Sequence, residues 1–163
     1  MKRQIIWGPV AVLFVGLALA QSPGDRQPSV IVAPVGNVQL RAGGSADLAL
    51  DFRIGTDFHI NSNKPRAEYL IPTLLKLNPS EPVTVADIKY PAGEDMSFAF
   101  SPNEKLSVYS GDFSINAVLK APASAAAGTY PVKGELRFQA CDRSACYPPR
   151  SIPVQFQVTI LKK

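Results

Sequence analysis

The 163-residue chain has only two cysteines, one histidine, one tryptophan and two methionines, and each scarcity removes a class of function. Cys141 and Cys146 cannot build a zinc ribbon, which needs a second pair of thiols. The four residues between them are also too many for the C-x-x-C of a thioredoxin-like helix. No Ser-His-Asp order, phosphate-binding glycine loop or paired-carboxylate motif appears, so nothing supports a hydrolase. Charged residues make up 18% of the chain, with 17 basic against 13 acidic. They form no basic cluster and no aromatic-basic alternation, which excludes nucleic acid as a partner. A sustained helical apolar stripe is missing too: Ala121 to Ala127 contains Pro122, lacks large apolar residues and precedes Gly128, so it reads as a loop.

The one long apolar run lies at the start. Lys2 and Arg3 precede apolar residues from Ile5 through Leu19, and Ala18-Leu19-Ala20 is a small-x-small cleavage site. Residues 1–20 therefore read as a secretory signal peptide, and its removal leaves a soluble periplasmic protein. The run is too short and too interrupted, by Gly8-Pro9, for a membrane span. No cysteine follows the cleavage site, so a lipid anchor is not indicated. Taking Lys2 and Arg3 from the 17 basic residues leaves 15 against 13 acidic, a nearly neutral chain. Residues 21–29, rich in Ser, Pro, Gly and Gln, read as a flexible lead, and 30–163 as one domain.

From Val30 onward, short β-type runs alternate with turn residues. They are Val30 to Val35, Val38 to Leu40, Ser45 to Ile54, Tyr69 to Leu77, Val83 to Tyr90, Leu106 to Tyr109, Phe113 to Lys120, Tyr130 to Phe138 and Pro153 to Leu161. In the third, Leu48, Leu50, Phe52 and Ile54 alternate with Asp47, Ala49, Asp51 and Arg53, the pattern of a half-buried strand. Seven to nine such strands predict an all-β fold, an immunoglobulin-like antiparallel β-sandwich.

Between the last two runs lies Phe138-Gln139-Ala140-Cys141-Asp142-Arg143-Ser144-Ala145-Cys146-Tyr147-Pro148-Pro149. The thiols face each other across the neck of a connection between neighbouring strands, and an exported pair will be found oxidised. Closing a loop of about six residues contributes only ~2 kcal/mol, a modest reason for a disulfide. Two readings follow: a bond that exchanges with partners, or an inert staple in a secreted binding or scaffold module.

Several segments together resemble a known family. They are Asp57-Phe58-His59-Ile60-Asn61-Ser62-Asn63-Lys64-Pro65, Tyr69-Leu70-Ile71-Pro72-Thr73, Ile88-Lys89-Tyr90-Pro91-Ala92-Gly93, Val108-Tyr109-Ser110-Gly111, Gly128 to Gly134, and Phe138 to Cys141 with Cys146 to Pro149. In this order they are similar to the N-terminal periplasmic domain of the thiol:disulfide interchange protein DsbD. The resemblance implies an immunoglobulin-like domain whose cysteines alternate between dithiol and disulfide while relaying electrons to thioredoxin-like periplasmic proteins. Cys141 and Cys146 would be the redox pair, with Cys146 forming the mixed disulfide and Cys141 resolving it. A cap loop bearing an aromatic residue maps to Asp95 through Ser101, with Phe98 or Phe100 as the lid. His59 and Asn61 stand where well-known members carry tyrosines. The membrane-embedded and thioredoxin-like domains of those members have no counterpart in this sequence, so a separate membrane electron donor is implied. The domain is expected to be a monomer needing no cofactor and no metal.

The residues themselves leave alternatives open. Arg143 favours a thiolate while Asp142 opposes it. His59 either relays a proton to a cysteine or serves as a hydrogen-bonded strand-end residue. Phe98 and Phe100 suit a lid or the core face of a strand. Tyr147 packs over the bridge, and Pro148 and Pro149 fix the loop. Copper handling, by both cysteines with His59 and Met96, is a third function.

Overall fold

The computed structural model describes residues 28–162, so the expected signal peptide and most of the flexible lead lie outside the described residues. Pro28 and Ser29, the end of that lead, are tied to the domain. Ser29 O accepts the Gly55 amide at 2.8 Å, and Pro28 O accepts Arg150 Nη1 at 3.3 Å.

All the regular structure among the described residues is strand. The order is β1 (Val30–Val32), β2 (Val38–Arg41), β3 (Ser45–Ile54), β4 (His59–Asn61), β5 (Leu74–Pro79), β6 (Thr84–Lys89), β7 (Glu94–Phe98), β8 (Ser101–Ser110), β9 (Asp112–Lys120), β10 (Gly128–Phe138), β11 (Ala140–Cys141) and β12 (Arg150–Leu161). Two four-stranded sheets, β1-β3-β9-β6 and β2-β12-β10-β5, form the sandwich. Leu50, Phe52, Ile115 and Leu119 from one sheet and Leu75, Val132, Leu136, Val154 and Val158 from the other share a single core. The alternation in β3 and β12 places every second side chain there. One pair, β2 with β12, is parallel, so the second sheet is mixed rather than purely antiparallel. Pro131 and Pro153 sit where their strands have a single neighbour, and their missing amides break no ladder.

A third sheet, β11-β4-β8-β7, positions the cysteines. The tight turn before β4 passes through Asp57 at φ 69°, a left-handed conformation that aspartate tolerates, and Phe58 N closes it on Gly55 O at 3.2 Å. Gly111, at φ 60°, turns β8 into β9 and carries the chain back to the sandwich.

Three of these strands, β4, β7 and β11, were not expected from the periodicity. Tyr69 to Leu77 is also only partly strand, because β5 begins at Leu74 and Tyr69 stands 70% exposed. Ala121 to Ala127 is a loop.

Candidate functional site

Period-2 geometry divides the third sheet into two faces. Ile60, Tyr109 and Ala140 are register partners that enter the main core. Their neighbours Cys141, His59 and Ser110, also in register, occupy the opposite face. Directly opposed residues in an antiparallel pair have Cβ atoms about 5 Å apart, so Cys141 and His59 are immediate neighbours.

Cys141 and Cys146 are joined, with S–S 2.03 Å and Cα–Cα 3.9 Å. Their burial differs sharply: Cys141 is 0% exposed, while Cys146 is half-buried. The intervening loop is held by Asp142. Its Oδ1 accepts the amides of Ser144 (2.7 Å) and Ala145 (2.9 Å), and its Oδ2 accepts the Tyr147 hydroxyl at 2.8 Å. These bonds hold the carboxyl below the usual aspartate range. Asp142 is thus a loop organiser whose charge is already engaged, and Arg143 is exposed. Tyr147 packs edge-on against Phe58, with ring centroids 5.9 Å apart.

The segment matched to the cap loop, Asp95 through Ser101, forms a hairpin, β7 turning through Ala99-Phe100 into β8, with Phe98 opposite Ser101. Phe98 is 9% exposed and lies face to face on His59, with centroids 4.0 Å and planes 15° apart. Phe100, 37% exposed, stacks on the far side of Phe98 at 5.4 Å. Phe98 also packs with Leu70, Leu106 and Val108 in a small core separate from the main one. It is therefore a core residue, one of the two possibilities its spacing left open, and its ring also covers that of His59. Arg66 grips Asp95 of the hairpin with two hydrogen bonds, 3.0 and 2.5 Å, joining it to the 62–73 loop.

His59 is 4% exposed, and its Nε2 is buried without a hydrogen-bond partner. Desolvation lowers its pKa to about 4, against the smaller opposing effect of Asp142. The imidazole is neutral at pH 7. Asn61, fully buried, donates from Nδ2 to Ile71 O (3.0 Å) and to Gln139 Oε1 (3.1 Å). Gln139 Oε1 also accepts the Ile71 amide at 3.2 Å, and its Nε2 donates to Tyr147 O at 3.3 Å. Asn61 thus braces the site through Gln139 and does not face a partner directly.

Gln139 was not singled out in the sequence, and Asp142 was weighed there only for its charge beside Cys141 and not as the organiser of the loop. An aspartate two residues before Ser144 carried a signal for an Asx-type turn, whereas Gln139 carried none. Met96, weighed as a soft metal ligand, lies 37% exposed on β7. Among the described residues, no three His, Cys, Asp or Glu side chains are placed to hold a metal ion. No helix among them is long and apolar enough to cross a membrane. Grooves of about 550 Å³ beside Ile31 to Pro34 and about 650 Å³ beside Tyr90 to Gly93 include neither cysteine in their linings.

Solved structures similar to this chain include two from Neisseria meningitidis. The DsbD N-terminal domain in its reduced form is 18% identical, covering 74% of this chain and 86% of that one, with a TM-score of 0.41. The complex between the DsbD and PilB N-terminal domains is also 18% identical, covering 83% and 87%, with a TM-score of 0.46. The N-terminal periplasmic domain of ScsB from Proteus mirabilis is 12% identical, covering 85% of this chain and 48% of that one, with a TM-score of 0.47. No curated protein sequence matches. The family described as thiol:disulfide interchange protein DsbD, N-terminal, matches residues 28–157, which take in β1 to β11, most of β12 and both cysteines, and the chain belongs to that family.

Proposed function

We propose that this domain is a periplasmic thiol–disulfide exchange module that passes electrons through Cys141 and Cys146. The observation that carries the reading is the unequal burial across one bond: Cys141 is fully enclosed and Cys146 is half-buried. Exchange proceeds by attack of a thiolate on one sulfur, and access decides which sulfur is attacked. Cys146 is the sulfur that meets a partner, and Cys141 is the one that leaves or closes the ring. Phe98 is the cap, and the hairpin bearing it has its own small core, so it lifts without opening the sandwich. The partners are thioredoxin-like periplasmic proteins on one side and a separate membrane electron donor on the other, with the domain acting as a monomer. The complex of a DsbD N-terminal domain with a PilB N-terminal domain in Neisseria meningitidis supports a protein as the exchange partner.

Expressing Cys141→Ser in the exported compartment tests this. The expected result is a thioredoxin-like protein held covalently on Cys146. Finding no mixed disulfide, together with a midpoint well below about −300 mV, identifies the bond as a structural staple.

A further inference from the structure

We infer that His59 is the proton acceptor and donor for Cys141, held out of action beneath Phe98 until a partner lifts that ring. The inference rests on the exchange reading above and adds to it the path of the proton.

Cys141 is fully buried, so it cannot rely on bulk water to take or supply a proton. Enclosure in apolar surroundings disfavours the thiolate, so a proton must be removed before this sulfur attacks. In register across the ladder stands His59, and its Nε2 has no hydrogen-bond partner. A buried polar atom left without a partner is costly, and it persists where it serves a purpose. The other titratable groups around His59 do not meet that need. On one side, Tyr147 donates its hydroxyl to Asp142. On the other, Ser110, the β8 register partner of His59, donates to Glu94 of β7.

Consider the reduced domain giving electrons to a partner disulfide. The Cys146 thiolate attacks one partner sulfur, forming the mixed disulfide and expelling the other partner sulfur as a thiolate. The Cys141 thiol then passes its proton to His59 Nε2, and its sulfur attacks Cys146 Sγ. The 141–146 bond forms, the mixed disulfide breaks, and the partner's second thiolate leaves with the electron pair. In reverse, the His59 imidazolium returns the proton as Cys141 becomes the leaving group. Beneath Phe98 the imidazole is a feeble base because it is desolvated. Water reaching the ring when the cap lifts restores its ordinary basicity, near 6.5. Docking and proton transfer are thereby coupled.

The test uses the reduced full domain carrying Phe98→Ala, in which the imidazole is uncovered without a partner, and dithiobis(nitrobenzoate), which releases one coloured anion when Cys146 attacks it and a second when Cys141 closes the ring. His59→Gln is made in that background. His59→Gln is expected to slow the second release by about 10-fold or more at neutral pH, and to remove its lower inflection in the pH profile. An unchanged second phase with an unchanged profile overturns the proposal. Should His59→Gln fold poorly, Phe98→Ala carries the test through NMR of the single histidine. The ring is expected to stay neutral to below about pH 5 in the disulfide form of the parent protein, and to titrate near its ordinary midpoint in Phe98→Ala. Identical titrations overturn the coupling to the cap. Neither measurement needs a protein partner. Failure to trap one on Cys146 therefore counts against the exchange reading alone, and an unaltered second phase with normal trapping counts against this inference alone.

Discussion

Phe98 rests on His59 and not on open solvent: its ring lies 4.0 Å from the imidazole, which stands beside Cys141 in the neighbouring strand. Phe98 and the buried end of the disulfide are therefore linked through one side chain. Phe98→Ala should speed reduction of the 141–146 bond by dithiothreitol by about tenfold. It should also lower stability by about 3 kcal/mol, the low end for loss of a buried phenylalanine, because the small core around it is peripheral. Rapid-quench alkylation and urea unfolding measure the two effects. Phe100→Ala, which removes only an outer, exposed ring, should do much less to either.

The lowered pKa of His59 fixes the sign of a pH effect. The unfolded histidine takes a proton near pH 6.5, whereas the folded one resists until about 4. Stability contributed by the neutral ring is complete above pH 6.5 and is lost as pH falls through the window between these values. The loss should approach the order of 3 kcal/mol at pH 4. Urea unfolding at pH 7 and pH 4.5 should show the decline in the parent domain and a flatter profile in His59→Phe.

Gln139 joins the 62–73 loop, β4 and the segment after Cys146 through one amide. Gln139→Ala leaves the Ile71 amide and the Asn61 side chain short of partners, which should cost about 1–3 kcal/mol in urea unfolding. Asn61→Ala should show a similar loss, and the double variant should lose less than the sum.

Asp142 accepts two amides within its own loop. In Asp142→Ala the amide protons of Ser144 and Ala145 should exchange with solvent much faster, while Asp142→Asn, which keeps an acceptor at the same place, should preserve most of their protection. Hydrogen-exchange NMR separates the two.

The Arg66 and Asp95 pair is bidentate but exposed. Its removal should raise the dithiothreitol reduction rate by about threefold at most, and the difference should fade near 0.5 M salt. Reversing both charges, with Arg66→Asp and Asp95→Arg together, should restore the slower rate.

The sandwich was legible because β3, β9, β10 and β12 are long enough for alternation to show, and each buries one face. The strands of the third sheet were not. β4 and β11 have three and two residues, too few for a period. β7 exposes Glu94 through Ser97 and buries only Phe98, and one buried position sets no period. The disulfide was visible from two cysteines on one short connection between neighbouring strands. The stack of Phe98 on His59 was not, since it joins residues from separate segments that only the fold brings together. Gln139 escaped notice for the same reason: its partners Asn61 and Ile71 lie 78 and 68 residues away.

The ladder of β10 with β12 runs without a break from Gly128 opposite Ile160 to Phe138 opposite Arg150. Everything between those last two residues is an insert clamped at both feet by a finished sheet. Its outer part can be exchanged as a cassette: residues 142–145, refitted with another length or another acid between the cysteines, would meet the same footing, while Gln139 and Ala140 stay to brace the fold. A series of transplanted loops on this one frame would measure the potential that each gives the bond.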